Sequence, residues 1–246
     1  MKVVLLGTAG YHPNEQRQTA CFMLPEVGVV LDAGTGMYRV RDRLATDELD
    51  IFLTHAHLDH TFGLTFLLDV LVERPMRRVS VHADREKLEA IQRHLLSRLL
   101  FPVALPCDYR ALVAPVPLAR GGTLTYFPVE HPGGTLGFRL DWPGHSLAYV
   151  TDTTARRDSP YLEHIRGVDL LLHECNFPDE QSEFALTTGH SSVTPVAELA
   201  RAAGVKRLVL IHIWSLPNVD DPVGLDTARG IFSNTELGRD LDEYEF

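Results

Sequence analysis

Residues 54–60 read Thr-His-Ala-His-Leu-Asp-His and follow directly on the apolar run Ile51-Phe52-Leu53. The run reads as a strand, so His55, His57, Asp59 and His60 put four metal-competent side chains into six positions at a strand end. The first two imidazoles can aim at one point, while Asp59 and His60, on the next turn, aim at a second. Imidazole and carboxylate together suit zinc, manganese or iron, and four donors this close suggest two ions. A solvated His-rich loop with a helix-capping Asp is the plainer explanation, but it belongs to low-complexity tracts rather than strand ends. The segment reads as a metal site, and it requires further ligands from elsewhere in the chain.

The rest of the sequence bounds what surrounds that site. With 246 residues and no linker, repeat or low-complexity stretch, the chain reads as one continuous domain over 1–246. A net charge of −10 argues against non-specific binding to a polyanion and favours small substrates. No window approaches the ~20 apolar residues of a membrane span, so no membrane partner is expected. The start, Met1-Lys2-Val3-Val4-Leu5-Leu6-Gly7, turns polar too soon for a signal peptide and reads as a first strand. Cys21, Cys107 and Cys175 are odd in number and widely spaced, which implies no disulfide framework and points to the cytoplasm.

Apolar runs separated by turn residues predict strands over 2–7, 20–24, 28–32, 50–55 and 79–82. Helical spacing predicts helices over 58–73 and 85–100. Strands at 124–131, 135–141 and 145–152 follow, with Pro132-Gly133-Gly134 and Pro143-Gly144 as the turns between them. The last third alternates: a short helix near 160–165, strand 168–174, helix 194–203 with Gly204 as its C-cap, and strand 207–212. Residues 218–222 look like an exposed turn, and the acidic tail 235–246 is expected to hold one final strand. Strands first and βαβ units later predict an α/β, four-layer αββα sandwich.

A dinuclear centre needs about six or seven protein ligands. His131, Asp152 and His212 share the setting of the heptapeptide, each a polar residue at the C-terminal end of an apolar strand. Singly, such residues are more often caps or hydrogen-bonded structure. Jointly with the heptapeptide they complete a ligand set.

His-x-His-x-Asp-His followed by His131, Asp152 and His212 resembles the metallo-β-lactamase superfamily, and Leu6–Gly10 and Leu31–Gly36 resemble its opening strands and turns. The resemblance implies that His55, His57 and His131 hold one metal, Asp59, His60 and His212 the other, and that Asp152 bridges them. The ions it implies are two divalent cations, zinc first, with Mn²⁺ or Fe²⁺ accepted by the same ligands.

Leu172–Phe177 and Gly189-His190-Ser191-Ser192 are similar to the ribonuclease Z branch, in which a Glu and a His at the positions of Glu174 and His190 assist phosphodiester cleavage. Locally this makes chemical sense. An imidazolium at His190 can bind a phosphoryl oxygen or protonate a leaving alkoxide, Glu174 can orient it, and Asp59 can accept the proton of the attacking water. The plainer alternative makes His190 a helix cap and Glu174 a surface carboxylate.

The chain departs from the tRNA-processing members in two places. The interval from His131 to Asp152 leaves no room for their Gly-rich arm, and Ile213-Trp214-Ser215-Leu216-Pro217 follows His212 where they carry a Ser-Arg-Tyr-like run. A small or cyclic phosphodiester is therefore expected and tRNA disfavoured, as in small cyclic-phosphate phosphodiesterases, and the resemblance also implies a homodimer. Ribonuclease Z-type RNA cleavage remains the alternative, as do a lactone or thioester hydrolase and a non-catalytic metal-binding accessory protein on the same fold. His82, His94, His145 and His164 read as surface or core histidines, and Cys175 as a small core residue. His12 and Arg17 lie in a loop a substrate can approach, and Trp214 is placed to wall the pocket.

Overall fold

The structure is a computed structural model that describes residues 1–216 and 219–246. Pro217 and Asn218, and with Asn218 the start of the expected exposed turn, lie outside the described residues. The chain divides into two compact units, Met1–Ala119 with Asp240–Glu245, and Arg120–Arg239 with Phe246.

In the first unit, strands β1 (Lys2–Gly7), β2 (Cys21–Leu24), β3 (Val29–Leu31), β4 (Glu48–Phe52), β5 (Arg78–Ala83) and β6 (Asp108–Ala111) join β13 (Glu243–Glu245) from the tail. Their order is β13-β1-β2-β3-β4-β5-β6, with β3 to β6 parallel and the remaining pairs antiparallel. Val4, Leu6, Met23, Val30, Ile51 and Val81 pack with Met37, Leu64, Leu67 and Leu88 in one apolar cluster. The alternate residues Val3, Leu5, Phe22, Leu31 and Phe52 are equally buried. Burial of both faces explains why these strands read as continuous apolar runs rather than as an alternation.

In the second unit, β7 (Gly122–Val129), β8 (Thr135–Trp142) and β9 (His145–Val150) form an antiparallel meander. From β9 the sheet continues in parallel through β10 (Leu170–Glu174), β11 (Leu208–Ile211) and β12 (Thr235–Leu237). An amphipathic helix at Val193–Ala203 lays Val196, Ala197, Ala200 and Ala203 onto Val150, Leu171 and Leu210. Gly204 ends it at φ +63°, the left-handed C-cap expected from the sequence.

Three expectations need correction. The helix predicted over 58–73 is broken into α1 (Leu58–Thr61), a 3₁₀ stretch Phe62–Phe66 and α2 (Leu67–Val70). The cause is Gly63, whose N–H bonds to Ala33 O at 2.8 Å outside the helix and whose missing Cβ would stand 2.1 Å from Gly34 O. The helix over 85–100 is α3 (Arg85–Ala90) continued by a π-helical turn Ile91–Leu95, and Leu99 and Leu100 are exposed beyond it. The tail holds two strands, β12 and β13, in different sheets. Between them Asp240 accepts hydrogen bonds from Thr8, Gln18 and Arg39. The elements α4 (Leu162–Ile165), α5 (Ser182–Thr188), α6 (Val193–Ala203) and α7 (Leu225–Ile231) complete the second unit. Of these, α5 and α7 went unpredicted, as did β6: all are short, and α7 depends on Asp221, which accepts the Val223, Gly224 and Leu225 N–H groups.

Candidate metal centre

Three polar residues that follow strands of the parallel stretches have left-handed backbone. Asp32 after β3, Asp152 after β9 and His212 after β11 have φ of +56°, +49° and +54°. Non-glycine residues avoid this region, and positions that hold it are of the strained kind that clusters at functional sites.

In the first unit the heptapeptide leaves β4 and enters α1. The His55 ring centroid lies 4.4 Å from that of His57 and 4.3 Å from that of His60. His60 is fully buried, and its Nδ1 meets Asp32 Oδ2 at 2.7 Å, which leaves Nε2 to face Asp59 Oδ2 at 3.4 Å. Asp32 is itself fully buried and accepts from Thr54 N at 2.8 Å and from the Thr54 hydroxyl. The Tyr11 N–H donates to Asp59 Oδ2 at 2.9 Å from a residue at φ +68°. Close approach fixes this corner: a Cβ on Gly34 would stand 2.3 Å from Asp59 O.

In the second unit Asp152 serves two histidines. Its Oδ1 lies 3.6 Å from His131 Nε2 and its Oδ2 3.4 Å from His212 Nε2, one oxygen for each ring. His131 Nδ1 donates to Gly189 O at 3.0 Å. The Asn176 amide nitrogen lies 3.1 Å from His212 Nδ1, and the flipped amide, with its oxygen in that place, accepts from Nδ1–H and leaves Nε2 a lone pair. The Thr151 hydroxyl donates to Asp152 Oδ2 at 2.6 Å.

These separations fit a metal. Two ligand atoms ~2.0–2.2 Å from one tetrahedral ion are about 3.3–3.6 Å apart. The three nitrogen–oxygen separations above, 3.4, 3.6 and 3.4 Å, fall in that range. Each of the three histidines concerned has its Nδ1 engaged and its Nε2 turned inward, the arrangement that fixes a metal-binding tautomer. Sequence reasoning did not assign Asp32, Thr54, Asn176 or the Gly189 carbonyl to this support. Only Asp32 left a signal, as an acidic residue closing an apolar strand in the manner of Asp152.

Glu174, at the end of β10, is fully buried and not a surface carboxylate. It accepts from Thr153 N at 2.7 Å, Ser191 N at 3.1 Å and His190 Nδ1 at 3.0 Å. Three donors hold the carboxylate in place, and it holds the imidazole. Nor does His190 cap α6: Ser192 occupies the N-cap position, and Asp179 accepts from the Thr194 amide and hydroxyl. The His190 ring is stacked 5.4 Å from that of His212, and Asp152, His190 and His212 offer ligand atoms within 4.8 Å of one another.

Other candidates resolve as structure. Arg17 is buried and donates to Thr8 Oγ1 at 2.6 Å, so it braces the first loop. His82 is buried against Asp50 at 2.9 Å, and His164 stacks on Phe127 at 4.6 Å. His173 is fully buried between Tyr161 Oη and Glu174 O, and burial holds its pKa below the ordinary value. Cys175 is a core residue whose thiol pKa burial pushes up.

The family model described as the beta-lactamase superfamily domain matches residues 28–213. A ribonuclease Z of Salinibacter ruber is 30% identical over 305 aligned positions, covering 99% of this chain and 94% of that protein. Because 305 positions are aligned against 246 residues, at least 59 of them have no counterpart here. Among solved structures, the metallo-beta-lactamase fold protein YhfI of Bacillus subtilis matches with a TM-score of 0.82 at 20% identity, covering 99% of both chains. A diphosphatase of the PhnP family matches with a TM-score of 0.75 at 20% identity, covering 100% of this chain and 98% of that one. No helix among the described residues is long and apolar enough to cross a membrane. The α/β fold, the divalent-metal donor set and the sequence matches agree: this chain belongs to the beta-lactamase superfamily, as a short ribonuclease Z-like hydrolase without the long arm.

Proposed function

We propose that the chain hydrolyses a small or cyclic phosphodiester with two divalent ions, zinc in first place. In the superfamily's pattern His55, His57 and His131 would hold one ion, Asp59, His60 and His212 the other, and Asp152 both. The observation that carries the choice of phosphorus is the buried Glu174 holding His190 at 3.0 Å beside His212.

Ions held by such residues supply Lewis-acid charge and acidify water at neutral pH. The protein's own groups do the rest. Glu174 accepts a hydrogen bond from His190 Nδ1–H, so Nε2 is the atom presented to substrate, and the carboxylate stabilises the imidazolium. An imidazolium there donates to a phosphoryl oxygen or protonates the departing alkoxide. Asp59, its Oδ2 held by Tyr11 N–H, takes up the proton of the attacking water. The split of Asp152 oxygens between His131 and His212 supports its shared role.

A second reading is RNA cleavage, favoured by the ribonuclease Z relatives at nearly full coverage. The positions absent from this chain favour the smaller substrate. Metal analysis combined with a panel of cyclic nucleotides, cyclic ribose phosphates, short RNA, precursor tRNA, a lactone and a thioester separates the readings. Fastest turnover is expected on the cyclic phosphates. Precursor tRNA as the preferred substrate would establish the second reading, and turnover confined to the lactone or thioester would refute both.

A further inference from the structure

Beyond His190 the second unit carries a run of aromatic rings that the chemistry above does not use. Phe177 lies 6.3 Å from the His190 ring, 5.2 Å from Trp214 and 5.2 Å from Phe184, and Phe184 lies 6.5 Å from Trp214. The rings meet edge-to-face or tilted, the geometry aromatic quadrupoles prefer. Phe177 is 3% exposed and forms the base; Trp214 is partly exposed and Phe184 is 51% exposed on α5. A single exposed phenyl ring is ordinary on a protein surface. Three rings in mutual contact that begin at an imidazole held by a buried carboxylate are not explained by core packing, because two of them remain open to solvent.

We infer that Phe184 and Trp214, set on Phe177, form a stacking platform for a planar aromatic group, a nucleobase, carried on the leaving side of the substrate. The inference rests on the phosphodiester reading only in the direction of approach. A phosphoryl group at Asp152 and His212 with its leaving oxygen at His190 must extend its remaining atoms past the imidazole, and the next surface along the ring series is this cluster. Stacking on aromatic faces tolerates any base, so the platform selects for a planar group without reading its identity. Trp214 stands two residues after His212, and Phe184 stands six before His190.

The test is calorimetric binding of adenosine 5′-monophosphate and ribose 5-phosphate to the metal-loaded protein. The two share a phosphate and a sugar and differ in the base. The nucleotide is expected to bind about 5- to 150-fold more tightly, the factor one stacked base is worth. F184A and W214A should each remove most of that preference while leaving ribose 5-phosphate binding within twofold, and F184Y, which keeps a ring, should retain it. Equal binding of the two compounds, or a preference that survives both alanine variants, overturns the inference. Adenosine alone, followed by quenching of Trp214 fluorescence in a W142F background, separates this result from failure of the phosphodiester reading. Quenching that F184A abolishes supports the platform even in a protein without phosphodiesterase turnover, and absence of quenching counts against it.

Discussion

Replacing Asp32 by Asn changes one oxygen to an amide nitrogen in a fully buried position, and the effect can be worked from its contacts. Wild-type Asp32 only accepts: from Thr54 N at 2.8 Å, from the Thr54 hydroxyl, and from His60 Nδ1 at 2.7 Å. An Asn must turn its NH₂ toward either Thr54 or His60. Turned to Thr54 it opposes the backbone N–H. Turned to His60 it forces Nδ1 to accept, which moves the ring proton to Nε2, the atom 3.4 Å from Asp59 that a metal requires. Loss of the charge-assisted bond costs about 1.5–3 kcal/mol in the metal-free protein. For a chain of this length that is ~2–4 °C in Tm per kcal/mol. Metal affinity should fall about 10- to 100-fold, the usual cost of losing a partner behind a ligating histidine. The assay is chelator competition at defined free zinc, with Tm of the metal-free protein measured in parallel. One ion, the one assigned to Asp59, His60 and His212, should be lost first. Wild-type affinity for both ions in D32N, with Tm unchanged, would refute the claim that Asp32 sets the His60 tautomer.

Three further outcomes are open to direct measurement. H190A should lower kcat on bis(p-nitrophenyl) phosphate by about 10²–10⁴, the usual worth of a positioned general acid, with metal content unchanged; loss of an ion instead would make His190 a ligand, which its distance from Asp152 and His212 permits. E174Q should lower kcat in the same direction, and unchanged turnover would remove Glu174 as the group that orients His190. The acid limb of stability should carry the Asp50 group, whose pKa is held at about 2 by hydrogen bonds and charge from His82 and Arg78 against the opposing effect of burial. A depressed carboxylate stabilises the fold above its unfolded value near 3.8 and loses that contribution as pH falls toward 2. D50N should therefore cost about 1–2 kcal/mol at pH 6 after allowing for solvent screening, and the difference from wild type should vanish near pH 2. A difference in denaturant stability that persists unchanged at pH 2 would contradict this.

The fold was legible wherever an element owed its existence to a local pattern. β1, the meander β7 to β9 and α6 with its Gly204 cap follow from apolar runs, turn residues and a capping glycine, all of which are properties of neighbours in sequence. Elements that depend on contacts between distant segments were misread. The 58–73 helix breaks because Gly63 gives its N–H to Ala33, thirty residues earlier. The tail splits because Thr235–Leu237 pairs with β11 while Glu243–Glu245 pairs with β1. Neither partner is visible from the segment itself.

The same division runs through the site. The sequence alone offered the chemistry: imidazoles and carboxylates at strand ends, at spacings that suit a metal centre, with Glu174 and His190 set apart as a candidate acid pair. Residue type fixes which atoms can donate electrons or protons, and no folding is needed to know that. Tertiary structure decided which of those atoms are usable. Burial made Glu174 a carboxylate held by three donors and kept Arg17 as a brace. Asp32, Asp152 and His212 took left-handed backbone at their strand ends, a conformation that residue type does not announce. The partners on Nδ1 of His60, His131 and His212 chose the nitrogen left for a metal. Tautomer and direction are set by hydrogen bonds from residues far away in the chain, and those distances exist only after folding.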